Sequence, residues 1–145
     1  MGTGTRPRIT SSTHHARVIW APTEEDPQAH AIQLAGQKLP ASAADSLGGD
    51  GLKADPEEML VAALSSCHML WFISLSRRER LPLASYEDEP EGTMDGTRFT
   101  RVVLRPAVAF EEDPGAARIE ALHHRAHELC FIANSVSCPV EVEPR

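Results

Sequence analysis

The stretch DPEEMLVAALSSCHMLWFISLSRRER, residues 55 to 80, limits the fold of this chain more than any other segment. Asp55 is a good N-cap, Pro56 suits the first helical position because its missing N–H has no partner to lose, and Glu58 stands where a capping box needs an acid. The helix this predicts runs to about Arg80. Between Met59 and Leu75 its apolar residues cover nearly the whole circumference instead of one stripe, which marks a helix surrounded by protein. A chain of 145 residues can hardly supply that cover alone, so an obligate homodimer is expected, with its site near the subunit interface.

The other segments read as strands and one shorter helix. His14 to Ala21 alternates, with Val18 and Trp20 on one side and Arg17 and Ile19 on the other, as a half-buried strand does. Two weaker strands follow in 28 to 34 and 37 to 42. SLGGDGLKAD is a glycine-bearing loop, and the acids that open the next helix make it a poor phosphate cradle. Two long antiparallel strands flank MDGT, whose Asp-Gly signals a hairpin turn. They place Val102, Leu104, Val108 and Phe110 on one face and Arg101 and Arg105, as solvated residues, on the other. A second helix opens at Asp113-Pro114 and ends near Leu129 or Cys130, with Ile119, Leu122, Ala126 and Leu129 as its apolar stripe. PVEVEP closes the chain as a short strand. The order is α+β, with no βαβ periodicity. We expect residues 1–13 to be a flexible tail and 14–145 to form a single domain.

Composition narrows the function. A net charge of −7 makes nucleic acid and anionic membrane surfaces poor partners. The acidic clusters Glu24 to Asp26, Glu87 to Glu89 and Glu111 to Asp113 read as solvated surface. No unbroken apolar run reaches the ~18 residues of a membrane span, and MGTGTRPRITSST lacks the apolar region of a secretory signal. A cytoplasmic protein is expected. In that reducing compartment the three cysteines are buried thiols, metal ligands or redox groups before they are structural disulfides.

Cys67 lies in the apolar helix beside His68. Alone it reads as core, since free cysteine is among the most buried residue types. Cys130 ends the second helix, and two helices packed side by side can bring the two thiols together, though spacing alone does not show that they meet. A rival is metal: His123, His127 and Cys130, at i, i+4 and i+7, share one helical face and would begin a zinc site if Cys67 or Cys138 completed it. Surface or interface histidines are the commoner explanation.

These same residues carry a family resemblance. DPEEMLVAALSSCHMLWF resembles the NPEEL…AA…S.C helix of the OsmC/Ohr family, the osmotically inducible and organic hydroperoxide resistance proteins. AHELCFIANSV resembles that family's second cysteine segment. The element order agrees over roughly residues 14 to 144, and the chain looks most like the OsmC-like subgroup with CHMLWF and HE.CFIANSV. The resemblance implies an antiparallel sheet with a long buried central helix in an intertwined dimer.

It also implies thiol-dependent peroxidase chemistry that needs no cofactor and no metal. Cys67 matches the peroxidatic cysteine, whose thiolate attacks the O–O bond to give a sulfenic acid. Cys130 matches the resolving cysteine, which condenses with it to a disulfide. A dithiol reductant, lipoyl-type in the Ohr branch, restores the pair by exchange. In the family an early arginine, held by a glutamate, stabilises the thiolate, and Glu57 matches that glutamate. The arginine has no counterpart: the corresponding stretch reads DPQAH, with Gln28 in its place, and His30 and His68 are the nearest partial substitutes. That departure keeps open a degenerate family member that binds a hydrophobic ligand or senses oxidants without efficient turnover. A zinc-binding structural protein is the third class.

Overall fold

The computed structural model describes residues 11–145, so residues 1–10 of the expected tail lie outside it, and 11–16 carry no regular structure. Two compact units divide the chain, the first ending at Ala54 and the second spanning Asp55–Arg145.

The first unit is an antiparallel sheet of β1 (Arg17–Trp20), β2 (His30–Leu34) and β3 (Gln37–Ala41) in that order. Leu34 pairs with Gln37 across a two-residue loop in which both Ala35 and Gly36 have positive φ, as the tight hairpin turn matched to strand twist requires. Contrary to the alternation expected for β1, its one half-buried residue is Ile19, and Trp20 is 72% exposed. The connection from β1 to β2 is fastened by Asp26, whose buried carboxylate accepts hydrogen bonds from Ser42 Oγ, Lys53 Nζ and the Gln28 N–H. Burial pushes this carboxyl up, and the bonds from Lys53, Ser42 and Gln28 outweigh it, so it sits below the usual carboxylate range.

In the second unit α1 spans Pro56–Arg78. The capping box is formed: Asp55 Oδ1 accepts from the Glu58 N–H at 2.7 Å, and Glu58 Oε1 accepts from the Asp55 N–H at 3.0 Å. Only Leu64, His68, Phe72 and Ser76 are fully buried on it, a single i, i+4 row, while Leu70 is 59% exposed. The all-round burial expected from the sequence is thus not supplied within one chain. By length and composition α1 also qualifies as a membrane-crossing helix, with mean hydropathy 1.6 over its best window. Counting unbroken apolar runs hides this, because Ser65, Ser66 and His68 interrupt them. The core helix of a domain meets the same criterion, and α1 has two cores to fill.

Its N-terminal half packs through Leu64 against Val102 and Leu104, and its C-terminal half through Phe72 against Leu122 and Ala126. The first core rests on a sheet of β5 (Glu91–Asp95), β6 (Arg98–Leu104) and β8 (Val140–Val142), in which β8 runs parallel to β6. The second lies between α2 (Ala116–Leu129) and a two-stranded ribbon of β4 (Leu83–Glu87) and β7 (Ala107–Phe110).

The two long strands expected around MDGT are each broken in two. Pro90 and Pro106 lack ladder donors, and Asp88 takes the Arg105 N–H at 2.6 Å in place of a strand partner. The hairpin turn itself is present, with Asp95 paired to Arg98 and Gly96 at φ 65. Val103 is buried along with Val102 and Leu104, so the expected alternation fails there. Arg101 lies outside, bonded to Glu141 and Glu143. α2 begins later than its Asp-Pro signal: Asp113 binds the Gly115 N–H at 2.8 Å in a local turn, and Gly115, at φ 93, is the cap. A carboxylate used in that turn is no longer free to cap the helix.

Candidate functional site

The interface between α1 and α2 gathers most of the residues that the sequence marked for chemistry. Cys67 and Trp71 form one i, i+4 row of α1, and His68 and Phe72 the adjoining row. Cys130 is the residue at which α2 ends; its N–H donates to the His127 carbonyl, and its own carbonyl accepts from the Asn134 N–H at 3.0 Å. This tight exit turns the Cys130 side chain back toward α1.

The Cys130 thiol lies near enough to Cys67 for that thiol to help push it up. All three cysteines are free thiols, with Cys130 only 1% exposed and Cys67 half-buried. Burial pushes the Cys130 thiol up to about 11; the Ala133 N–H, 3.5 Å from its sulfur, works the other way, and the neighbouring Cys67 adds to the rise. Trp71 and Phe131 meet edge to face at 5.4 Å beside the pair, one from each thiol's own segment. Cys138 takes no part and packs against the Leu64 core.

His68 Nε2 and His123 Nδ1 are hydrogen-bonded at 3.0 Å, with nearly coplanar rings, 8° apart. Burial is the main reason that both are held down to about 4, so both imidazoles are neutral. The face that the spacing offered for zinc is divided: His123 bonds His68, and Cys130 lies beside Cys67. Among the described residues no group of three or more His, Cys, Asp or Glu side chains is arranged to hold a metal ion. The pairing of His68 with His123 had no signal in the sequence, since nothing in linear spacing relates one helix's rotation to the other's.

Glu57 is not brought to the thiols along α1, for the helical rise between positions 57 and 67 is about 15 Å. It borders a groove of about 440 Å³ with Asp55, Glu58, Val61, Met94 and Phe99. Its Oε2 is buried without a hydrogen-bond partner. In the first unit Gln28 donates through Nε2 to the Leu47 carbonyl at 3.3 Å, and its own carbonyl bonds His30 Nδ1 at 2.9 Å.

Residues 48–145, which hold both thiols, match the family model described as OsmC-like protein. The chain belongs to the OsmC-like family. An OsmC-like protein of unknown function from Vibrio cholerae is 37% identical, with a TM-score of 0.84 over 93% of this chain and 100% of its own. An organic hydroperoxide resistance protein, OsmC, from Legionella pneumophila shares the fold at 19% identity, with a TM-score of 0.68 over 93% of this chain and 96% of its own. YmaD, an uncharacterized Bacillus subtilis protein, is 23% identical over 104 residues, 67% of this chain and 69% of its own. The expected α+β OsmC-like fold is thereby shown.

Proposed function

We propose that this OsmC-like protein reduces organic hydroperoxides through Cys67 and Cys130. The observation that carries the reading is the proximity of these two thiols from opposite helices, close enough for Cys67 to raise the Cys130 thiol. Cys67, as thiolate, attacks one peroxide oxygen: the S–O bond forms, the O–O bond breaks, and the departing alkoxide takes up the proton that the thiol gave. Cys130 then attacks the sulfenic acid sulfur, forming the disulfide and releasing water with the Cys130 proton. A dithiol reductant, lipoyl-type in this reading, returns both thiols by exchange. The name of the Legionella relative supports the substrate class.

Glu57 is the orienting residue, and its unpartnered Oε2 suits a cation from outside its own helix. A homodimer fits the exposed Leu70 face of α1 and the exposed Trp20 of β1, apolar surface that a partner chain would cover. The second reading, a ligand binder or oxidant sensor with little turnover, is favoured by one observation: Gln28, in the place of the family's arginine, carries no charge. Turnover of cumene hydroperoxide with dihydrolipoamide separates the two. The peroxidase reading expects catalytic consumption that is lost in Cys67→Ser; stoichiometric oxidation without turnover leaves the sensor.

A further inference from the structure

His68 and His123 are 1% and 3% exposed, and their bond is the one buried side-chain hydrogen bond between α1 and α2 among the described residues. Everything around it is non-directional. Phe72 lies against His123 at 4.3 Å between ring centres, and Leu122, Ala126, Leu75 and Ile119 complete the contact. Apolar side chains resist separation but tolerate a small rotation of one helix about its axis. An N–H···N bond does not, because it weakens steeply once bent.

The pair is also expensive. His68 Nδ1 and His123 Nε2, its two outer nitrogens, are buried with no partner. Orphaned polar atoms destabilise the fold, so two leucines would fill this space at less cost. A polar pair kept under those terms suits a demand for one particular arrangement of the helices. What that arrangement delivers is next along the chain: Cys67 immediately precedes His68, and Cys130 lies two helical turns beyond His123.

We propose that the His68–His123 hydrogen bond is a positioning clip, which holds α1 and α2 at the rotation where Cys67 and Cys130 meet and thereby sets the reduction potential of that dithiol. This rests on the assignment of Cys67 and Cys130 as the working pair. The disulfide's stability against an external thiol reflects how often the reduced thiols are already in bonding geometry. A clip that raises this effective concentration makes the potential more negative.

The test is the Cys67–Cys130 potential, measured by equilibration with glutathione buffers and read by mass spectrometry. The double variant His68→Leu/His123→Leu removes both polar partners together and so leaves no new orphan. It is expected to fold, and its disulfide to be at least tenfold easier to reduce, a shift of about 30 mV to less negative potential. His123→Asn, which presents an amide where Nδ1 stood, is expected to keep the wild-type value. A folded double variant with an unchanged potential overturns the proposal. Should that variant not fold, the comparison passes to His123→Asn and His123→Gln; Gln sets its amide one methylene further out, and equal potentials in the two overturn the clip. No peroxide enters these measurements, so a shifted potential in a protein without turnover keeps the clip and removes the peroxidase. A wild-type chain that forms no Cys67–Cys130 disulfide at any buffer ratio overturns both.

Discussion

The thiol of Cys130, at the end of α2, is raised by its neighbour Cys67 in the middle of α1, while Cys138, a few residues further on, is turned into the Leu64 core. One equivalent of hydroperoxide should therefore link Cys67 to Cys130 and leave Cys138 free. Cys130→Ser should trap oxidised Cys67 and let it pass on to the sulfinic acid. In the reduced protein, burial keeps the Cys130 thiol protonated until about pH 11, so it should resist iodoacetamide at neutral pH. Peptide mapping checks all three; a Cys130–Cys138 bond would overturn the assignment.

The absent arginine makes its own prediction. A cation beside a thiolate is worth a pKa unit or more, about 1.4 kcal/mol, or tenfold in reactive thiolate near neutrality. Gln28→Arg should raise the rate of hydroperoxide consumption about tenfold at pH 7. Glu57→Gln should do little alone but should blunt that gain in the double variant, as the family's pairing of an arginine with a glutamate implies. Stopped-flow rates of the four proteins complete the cycle, and additivity would show that the two positions do not cooperate.

The exposed apolar face of α1 predicts association. Wild-type protein should sediment as a dimer at micromolar concentration, and Leu70→Lys should weaken the dimer tenfold or more by placing a charge in the buried contact. A folded wild-type monomer at that concentration rules the dimer out.

The histidine pair predicts a pH dependence of stability. Each imidazole takes up a proton near 6.5 when unfolded but only near 4 when folded, so the unfolded chain binds more protons between these values. Stability should be complete above pH 6.5, fall as the pH drops from there toward 4, and flatten below. The loss is on the order of 3 kcal/mol for each imidazole. Urea titrations across this range should show the slope in the wild type and its absence in His68→Leu/His123→Leu.

Packing sets a fifth expectation. A Cβ on Gly92 would stand 2.6 Å from Val61 Cγ2 and 2.7 Å from the Phe99 ring, so Gly92→Ala must displace these side chains or the strand that carries it. Overpacking of this kind costs about 1–3 kcal/mol, which the midpoint of denaturant unfolding will report.

By itself the sequence determined what local chemistry controls. Asp55, Pro56 and Glu58 start α1 because a cap is made from neighbours in the chain, and the β5–β6 turn at Gly96 follows from a residue that accepts positive φ. The family's two cysteine segments were legible for the same reason, as short runs of residues in order. Other features depended on groups far apart in the chain. Asp113 has a good capping side chain, yet a local turn claims it and Gly115 becomes the cap. Trp20, read as one side of a half-buried strand, is left exposed because burial depends on what covers a strand as well as on its alternation. His123, His127 and Cys130 share a face in any helical projection, but the rotation of α2 against α1 sends His123 to His68 and Cys130 to Cys67, and so divides what the spacing had grouped. That rotation is a property of two packed surfaces, so no single helix's sequence contains it.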